Sequence, residues 1–335
     1  MASAGIFPKV SPTPSMLNSS NWHHDDHDDG NANNIVMSDV VVKRKNRAYW
    51  LRKWGPSDLI ISIGLMVHVH VMCLLYAWST FSWSRFWMTI CLGNAITLFG
   101  ISVSYHRNLA HRAFHLPKWL EYLFAYCGVL AIQGEPMFWV SIHRQHHQFV
   151  DTEQDPHSPI EGFWFSHMTW LFDISYVKHK RQDLRINVRD LEKQFFYRFL
   201  RRTYFIHLFL HGVVLFWWRG FPMLVWGLYV RTVLTYHGTF LVNSACHIWG
   251  YQTWDTQDLS KNNWLVALIA FGEGWHNNHH AFEFSARHGH EWWQFDLGWY
   301  VIKVLELVGL ATHVKVPSEA QKIRRMALKN EAKCP

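Results

Sequence analysis

His143-Arg-Gln-His146-His147 and His276-Asn-Asn-His279-His280 are one pattern, H-x-x-H-H, written twice in a chain of 335 residues. In a helix the three histidines of each copy stand at i, i+3 and i+4, so their imidazoles share a face. Stacked imidazoles make poor packing groups, because each ring carries polar nitrogens that need partners when buried. They make good ligands, since neutral imidazole is the commonest protein donor to transition metals. A repeated box of this kind predicts two half-sites that fold toward each other around metal.

Working outward, the next cluster is His106-Arg-Asn-Leu-Ala-His111. Its i, i+5 spacing sets the rings about 140° apart on a straight α-helix. The pair therefore fits one metal if the helix ends or bends between them, or else it serves two metals. His115 is a weaker candidate. A further element is Asn243-Ser-Ala-Cys-His247. The set His106, His111, His143, His146, His147, His247, His276, His279 and His280 exceeds the four ligands of a structural zinc and suits two metals. The Glu-x-x-His pattern of ferritin-type bundles is absent from these boxes. Imidazole-rich ligation with open positions suits iron that must bind dioxygen. The remaining histidines, among them His68, His70, His157, His167, His207, His211, His237, His288, His290 and His313, are read as structural. The tract from His23 to Asp29 is read as solvated low complexity.

The surroundings of the boxes put them at a membrane. Hydrophobic residues make up 49% of the chain and aromatic residues 16%, with 20 Trp and 23 Phe. That aromatic excess suits bilayer interfaces. A mean hydropathy near zero still leaves room for a substantial water-facing part. Apolar runs at 59–78, 86–105, 204–218 and 221–243 predict four spans in two hairpins. Trp78, Phe81 and Trp83 mark one interface, and residues 217–222 read as a tight turn. Two hairpins return every histidine cluster to the same side, beside basic residues at 43–53, 178–202 and 322–329. The positive-inside rule accounts for these charges and for the net +7. No nucleic-acid module accompanies them. Residues 119–140 hold Glu121, Gln133, Glu135 and Pro136, and 264–275 is short. Both are read as helices against the membrane face or the cap. Leu191, Phe195 and Phe199 predict an interface-lying helix, as do residues 299–310. Five scattered cysteines give no disulfide framework. Residues 1–46 read as disordered, with a faint transit-peptide character and no apolar secretory signal. The expected organisation is this segment, a membrane domain over 47–315, and a basic tail over 316–335. The expected fold is an all-α integral membrane protein, with four transmembrane helices and a helical cap holding a histidine-rich di-iron site.

At HRNLAH (106–111), HRQHH (143–147), DTEQDPHSP (151–159), NSACH (243–247), GEGWHNNHH (272–280) and AFEFSARHGHEWWQFD (281–296), the chain resembles the membrane-bound fatty-acid desaturases. It is most similar to their plant Δ9-type acyl-CoA and acyl-lipid branch, over roughly residues 48–315. The resemblance implies a cap facing cytosol or stroma, in which the nine histidines bind two irons and Asn243 reaches one of them through water. It implies a fatty acyl-CoA or acyl-lipid substrate and dioxygen as co-substrate. It also implies an external electron donor, either cytochrome b5 with its reductase or ferredoxin in a plastid. The expected location is the endoplasmic reticulum membrane, with a chloroplast membrane as the alternative. Competing readings are a plastid Δ7-type galactolipid desaturase, a di-iron lipid hydroxylase and a zinc-containing lipid sensor. An unactivated methylene has no useful acidity, so a general base cannot open it. Glu135, Asp151, Asp155 and Glu273 are expected to orient ligand imidazoles. Regioselectivity is expected from a bent apolar tunnel ending along the second span, with Ile90 and Asn94 setting its length.

Overall fold

The computed structural model describes residues 34–37, 40–43, 64–172 and 187–331. In chain order these form a hairpin, β1 (Asn34–Met37) and β2 (Val40–Lys43), then helices α1 (Gly64–Tyr76), α2 (Trp83–Ala95, running on through Ile96–Ala110), α3 (Lys118–Leu130) and α4 (Pro136–Phe149). Two short helices follow, α5 (Phe163–His167) and α6 (Arg189–Glu192). The rest comprises α7 (Phe195–Leu224), α8 (Arg231–Ile248, entered through Val225–Val230), α9 (Trp264–Ile269), α10 (His276–Ala281), α11 (Leu297–Leu307) and α12 (Glu319–Glu331). The tract from His23 to Asp29, much of the first basic cluster and residues 173–186 lie outside the described residues.

Within residues 1–46, read from the sequence as disordered, the described residues are the short hairpin of β1 and β2. Antiparallel pairing joins Asn34 to Lys43 and Met37 to Val40. β-Branched residues on both sides of Ser38-Asp39 favour extended backbone, a local signal that the polar composition upstream obscured.

Among the described residues, two continuous stretches are long and apolar enough to cross a membrane: Trp83–Ala110, 28 residues, and Phe195–Ile248, 54 residues. The second is a hairpin. Its backbone leaves the helical region at Arg219 and Gly220, where glycine takes φ 73°. Beyond the break, Gly227 packs on Leu215, while Gly212 faces Leu224 and Leu228. The two arms are therefore antiparallel, with the turn where the Arg-Gly-Phe-Pro sequence placed it. The apolar α1, 13 residues in its described part, packs on the start of the second arm through Val69, Val225 and Trp226.

The α2 helix and the second arm of the hairpin run parallel. Thr89 donates to the Trp226 carbonyl at 3.0 Å, Gly93 abuts Arg231, and Thr97 meets Thr235 at 3.3 Å. The sequence offset along this seam holds at 137–138 residues. Parallel helices in register bring His106 and His247 to the same end. A close α2–α3 contact reinforces the seam, because any Cβ on Gly100 would strike the backbone at Cys127 and Gly128.

The stretch 119–140 breaks into α3 and α4 at Ile132 and Gly134, both with positive φ. One expected element is corrected. Leu191, Phe195 and Phe199 do not share a helix: Leu191 is buried in α6, whereas Phe195 opens α7 and lies exposed with Phe199. Gln194, with extended backbone, separates the two elements. Cys73, Cys91, Cys127 and Cys246 are free thiols.

Candidate metal centre

The C-terminal half of α2 is wound with wide turns, ending in a bond from the His111 amide to the His106 carbonyl at 3.1 Å. Such i→i+5 turns bring residues five apart back toward one face. That resolves the awkward spacing, and the rings of His106 and His111 come to 4.9 Å between centroids. Arg144 secures the end of α2 by donating to the carbonyls of Leu109 and Ala110 at 2.6 and 3.1 Å. The next helix, α4, starts at Pro136 behind Glu135, whose carboxylate accepts from the amides of Met137 and Phe138 at 2.7 and 3.0 Å. This is a standard N-cap with proline in the first turn. It presents His143, His146 and His147 on one face, and α10 presents His276, His279 and His280 in the same way.

All nine histidines named from the sequence gather into two groups. His106, His111, His143, His147 and His279 form the first; His146, His247, His276 and His280 form the second. Each H-x-x-H-H box is thus split between the two groups. In the first, Nε2 separations are 2.7 Å for His111–His143, 2.9 Å for His147–His279 and 3.1 Å for His106–His279. In the second, His276 Nε2 lies 3.0 Å from both His247 and His280. Asn243, one turn before His247, is half-buried on the wall of an adjoining cavity.

Carboxylates face the opposite ring nitrogens. Nδ1 of His106 lies 2.7 Å from Glu273, that of His146 3.0 Å from Asp155, and that of His147 3.3 Å from Glu283. In His247 and His280 the partners are Asp151 at 3.2 Å and Asp258 at 3.1 Å. Asp151, Asp155 and Glu273 stand where the sequence reading put them. Glu135 caps α4 instead. Asp258 and Glu283 were missed, since no spacing links them to the boxes. His157 and His288, taken as structural, sit against the groups: the His157 ring is 4.5 Å from His146, and the His288 ring 4.5 Å from His279.

Electrostatics favour neutral imidazole beside ionised carboxylate. Burial lowers the proton affinity of His111, His143, His276, His279 and His280 well below the ordinary range. It takes His147 down to about 4 and His157 to about 3. Burial alone would push Glu273 up, but Arg107 and the imidazoles of His106 and His288 hold it well below a usual carboxyl. Arg107 is fully buried, and its guanidinium also grips Asp296 at 2.8 Å.

These residues fit metal on chemical grounds. In His247 and His280 the Nδ1 proton is committed to a carboxylate, so Nε2 is a bare lone pair. His276 Nε2 lies 3.0 Å from each of them and has at most one proton to share, so a proton there satisfies one lone pair while a cation among the three rings satisfies all. Nitrogens bound at about 2.1 Å and at right angles around one ion stand about 3 Å apart, as here.

Beside the first group lies a cavity of ≈ 300 Å³ with mostly apolar walls. Leu65, Met66, Ile132, Tyr204, Tyr236 and Phe240 line it, and His143, His157 and Asn243 close its metal side. Arg201 and Phe205, both exposed, lie at its rim. A polar brace crosses the wall: Gln133 donates to Thr239 at 2.9 Å and accepts from the Trp139 indole at 3.3 Å. Trp139 stacks on His143. Ile90 and Asn94 are not among the lining residues, and Asn94 is exposed.

Helices long and apolar enough to cross a membrane, with groups of carboxylate-braced imidazoles that could hold metal, fit a membrane-associated metalloprotein. Comparison with known proteins makes the class specific: residues 81–311 match the fatty acid desaturase family, and the chain belongs to it. It is 55% identical over 304 residues to the chloroplastic palmitoyl-monogalactosyldiacylglycerol delta-7 desaturase of Arabidopsis thaliana, covering 90% of this chain and 81% of that one. Identity is 56% over 294 residues to an acyl-CoA 5-desaturase of Anemone leveillei, covering 88% and 90%. It is 52% over 298 residues to delta-9 acyl-lipid desaturase 1 of Arabidopsis thaliana, covering 89% and 96%. The chain is therefore an oxidoreductase that desaturates fatty acyl chains.

Proposed function

We propose a dioxygen-dependent desaturase that sets a cis double bond into a saturated acyl chain on coenzyme A or a glycerolipid, with Δ9-type selectivity and two irons in the histidine groups. The observation that carries this reading is the convergence of nine imidazoles into one set of five and one of four. Iron held there supplies, with dioxygen and two electrons, an oxidant able to take hydrogen from an unactivated methylene. The overall change removes two hydrogens from adjacent carbons and, with two protons, leaves two waters.

The chain's own residues bind, orient and exclude water. Asp151, Asp155, Asp258, Glu273 and Glu283 fix ring orientation and keep Nε2 free. The aliphatic and aromatic cavity walls hold the acyl chain dry. The Gln133–Thr239–Trp139 brace sits beside His143 and sets how the chain passes the metals. In this reading Asn243 touches one iron through water. In this reading α1, α2 and the two arms of the α7–α8 hairpin are four spans, and the cap faces the cytosol at the endoplasmic reticulum membrane. Electrons come from a separate carrier, cytochrome b5 with its reductase.

A second reading, Δ7 selectivity on a chloroplast galactolipid with ferredoxin as donor, is favoured by the 55% identity to the Arabidopsis delta-7 enzyme. Expression in a desaturase-deficient yeast, followed by double-bond mapping, separates the two. Δ9 monoenes support the first reading and Δ7 monoenes the second. No new unsaturation in yeast contradicts the first reading, and none after galactolipid and reduced ferredoxin are supplied to the protein contradicts the second.

A further inference from the structure

The apolar cavity beside His143 carries a cation at its mouth. Of the residues that line it, only Arg201 and Phe205 are exposed. Both stand on α7, about one turn apart, so the opening lies beside that helix. The same turn marks a change along the exposed face of α7. Arg201 and Arg202 are exposed, and the exposed positions that follow are all apolar, from Phe205 and Ile206 through Phe209 and Leu210 to Val214. In a span, such a step from guanidinium to hydrocarbon falls between the headgroup layer and the acyl layer. On the four-span reading above, the mouth therefore opens at that boundary, with Arg201 on its polar side and Phe205 on its apolar side.

The neighbouring polar groups are already committed. Arg198 donates to the Glu192 carbonyl at 2.7 Å, and Arg112 and Arg144 share Asp190. Deeper in the cavity, the Tyr204 hydroxyl accepts from the Gly134 amide at 3.0 Å, and that of Tyr236 donates to the Ile132 carbonyl at 2.6 Å. Gln133 and Thr239 bind each other, and Glu135 caps α4. Arg201 alone among the polar groups at the mouth has no hydrogen-bonding or acidic partner among the described residues. A cation held at the opening of an apolar space suits a ligand with an anionic head and an apolar tail.

We propose that Arg201 recognises the acyl carrier: it takes a phosphate of the group that bears the acyl chain, either the phosphodiester of a glycerophospholipid or a phosphate of coenzyme A. The planar guanidinium fork matches phosphate oxygens two at a time and keeps its charge at any physiological pH. With the phosphate at Arg201, the chain passes Phe205 and runs between Tyr204 and Tyr236 toward His143. A galactolipid head is uncharged and gains only ordinary hydrogen bonds there. The inference rests on the reading of this cavity as the acyl site.

The test uses the full chain purified in detergent. Palmitoyl-CoA, dipalmitoylphosphatidylcholine or dipalmitoyl-monogalactosyldiacylglycerol is titrated in, and bound lipid is counted by native mass spectrometry. Arg201→Gln, which loses the charge and the fork, should weaken binding of a phosphate-bearing carrier by about 10-fold and leave the galactolipid unchanged. Arg201→Lys, which keeps the charge, should recover part of that loss. Arg202→Gln, one residue away and off the cavity, should bind as wild type does. Weakening for the phospholipid alone makes the membrane the source of the phosphate, weakening for palmitoyl-CoA alone makes it the soluble carrier, and weakening for both admits either. Unchanged binding of both, equal weakening of all three lipids, or an equal effect of Arg202→Gln overturns the inference alone. Wild type that binds none of the three overturns the acyl-cavity reading and this inference with it.

Discussion

The histidine groups and the apolar cavity beside them share His143, yet they are held together in different ways. The cap is a lattice of directional contacts, in which imidazoles stand about 3 Å apart and carboxylates sit behind five of them. The cavity is a space between side chains from α1, α4, α7, α8 and the loops beside them, held by packing and one polar brace. Shifting one group in the cap removes a ligand. Shifting one group in the cavity moves a wall. The difference teaches why relatives at 52–56% identity bear names with double bonds at positions 5, 7 and 9. The chemistry tolerates little change, while the register of the chain against it can drift.

The largest effect should come from the cap itself. His276→Ala removes a ring that faces both His247 and His280, so desaturation in yeast should fall below detection and purified protein should lose one iron. Retained activity would detach the second histidine group from the chemistry. A smaller effect is expected one layer out. Asp258→Ala and Asp155→Ala should weaken iron retention by about 10–100-fold, read as chelator-induced loss, with Asp→Asn partly restoring it. An unchanged holoenzyme would remove these carboxylates from the account.

The cavity should respond in kind rather than in amount. Met66→Trp fills part of the space, so product analysis should shift toward shorter acyl chains. Each methylene excluded from an apolar site is worth ~1–3 kcal/mol, so discrimination should change by roughly 10-fold or more. Loss of all activity instead would mean that the cavity is no freer than the cap.

The smallest effect concerns protons. Burial among Trp254 and Phe282, reinforced by Lys322, holds His290 down to about 3. The unfolded chain takes up this proton near pH 6.5, so this contribution to stability is intact above that pH. It declines as pH falls from about 6.5 toward 3. His290→Leu should therefore narrow the gap between thermal midpoints measured at pH 7 and pH 5. An unaltered gap would remove His290 from the acid sensitivity.

The sequence showed most of the cap because metal ligation forces residue type and spacing together. The H-x-x-H-H boxes declare a shared helix face without any knowledge of the fold. The parallel seam of α2 and α8, and the break at Arg219-Gly220, were legible from apolar runs and a turn signal. How the histidines divide between two sites was not legible, because the two boxes interleave only once α4 and α10 face each other. Asp258 and Glu283 were hidden for the same reason, being close in space to boxes they do not neighbour in pattern. His157 and His288 looked like ordinary buried histidines, and only the approach of their rings to His146 and His279 distinguishes them. Ile90 and Asn94, expected to set the tunnel's length, do not line the cavity found beside His143, since sequence gives depth along a helix but not which neighbour presses against it.

The most direct test of the account is elemental analysis of the purified full-length protein from iron-sufficient cells. The account predicts two irons per chain and negligible zinc. One zinc per chain, or no transition metal in folded protein, would contradict it.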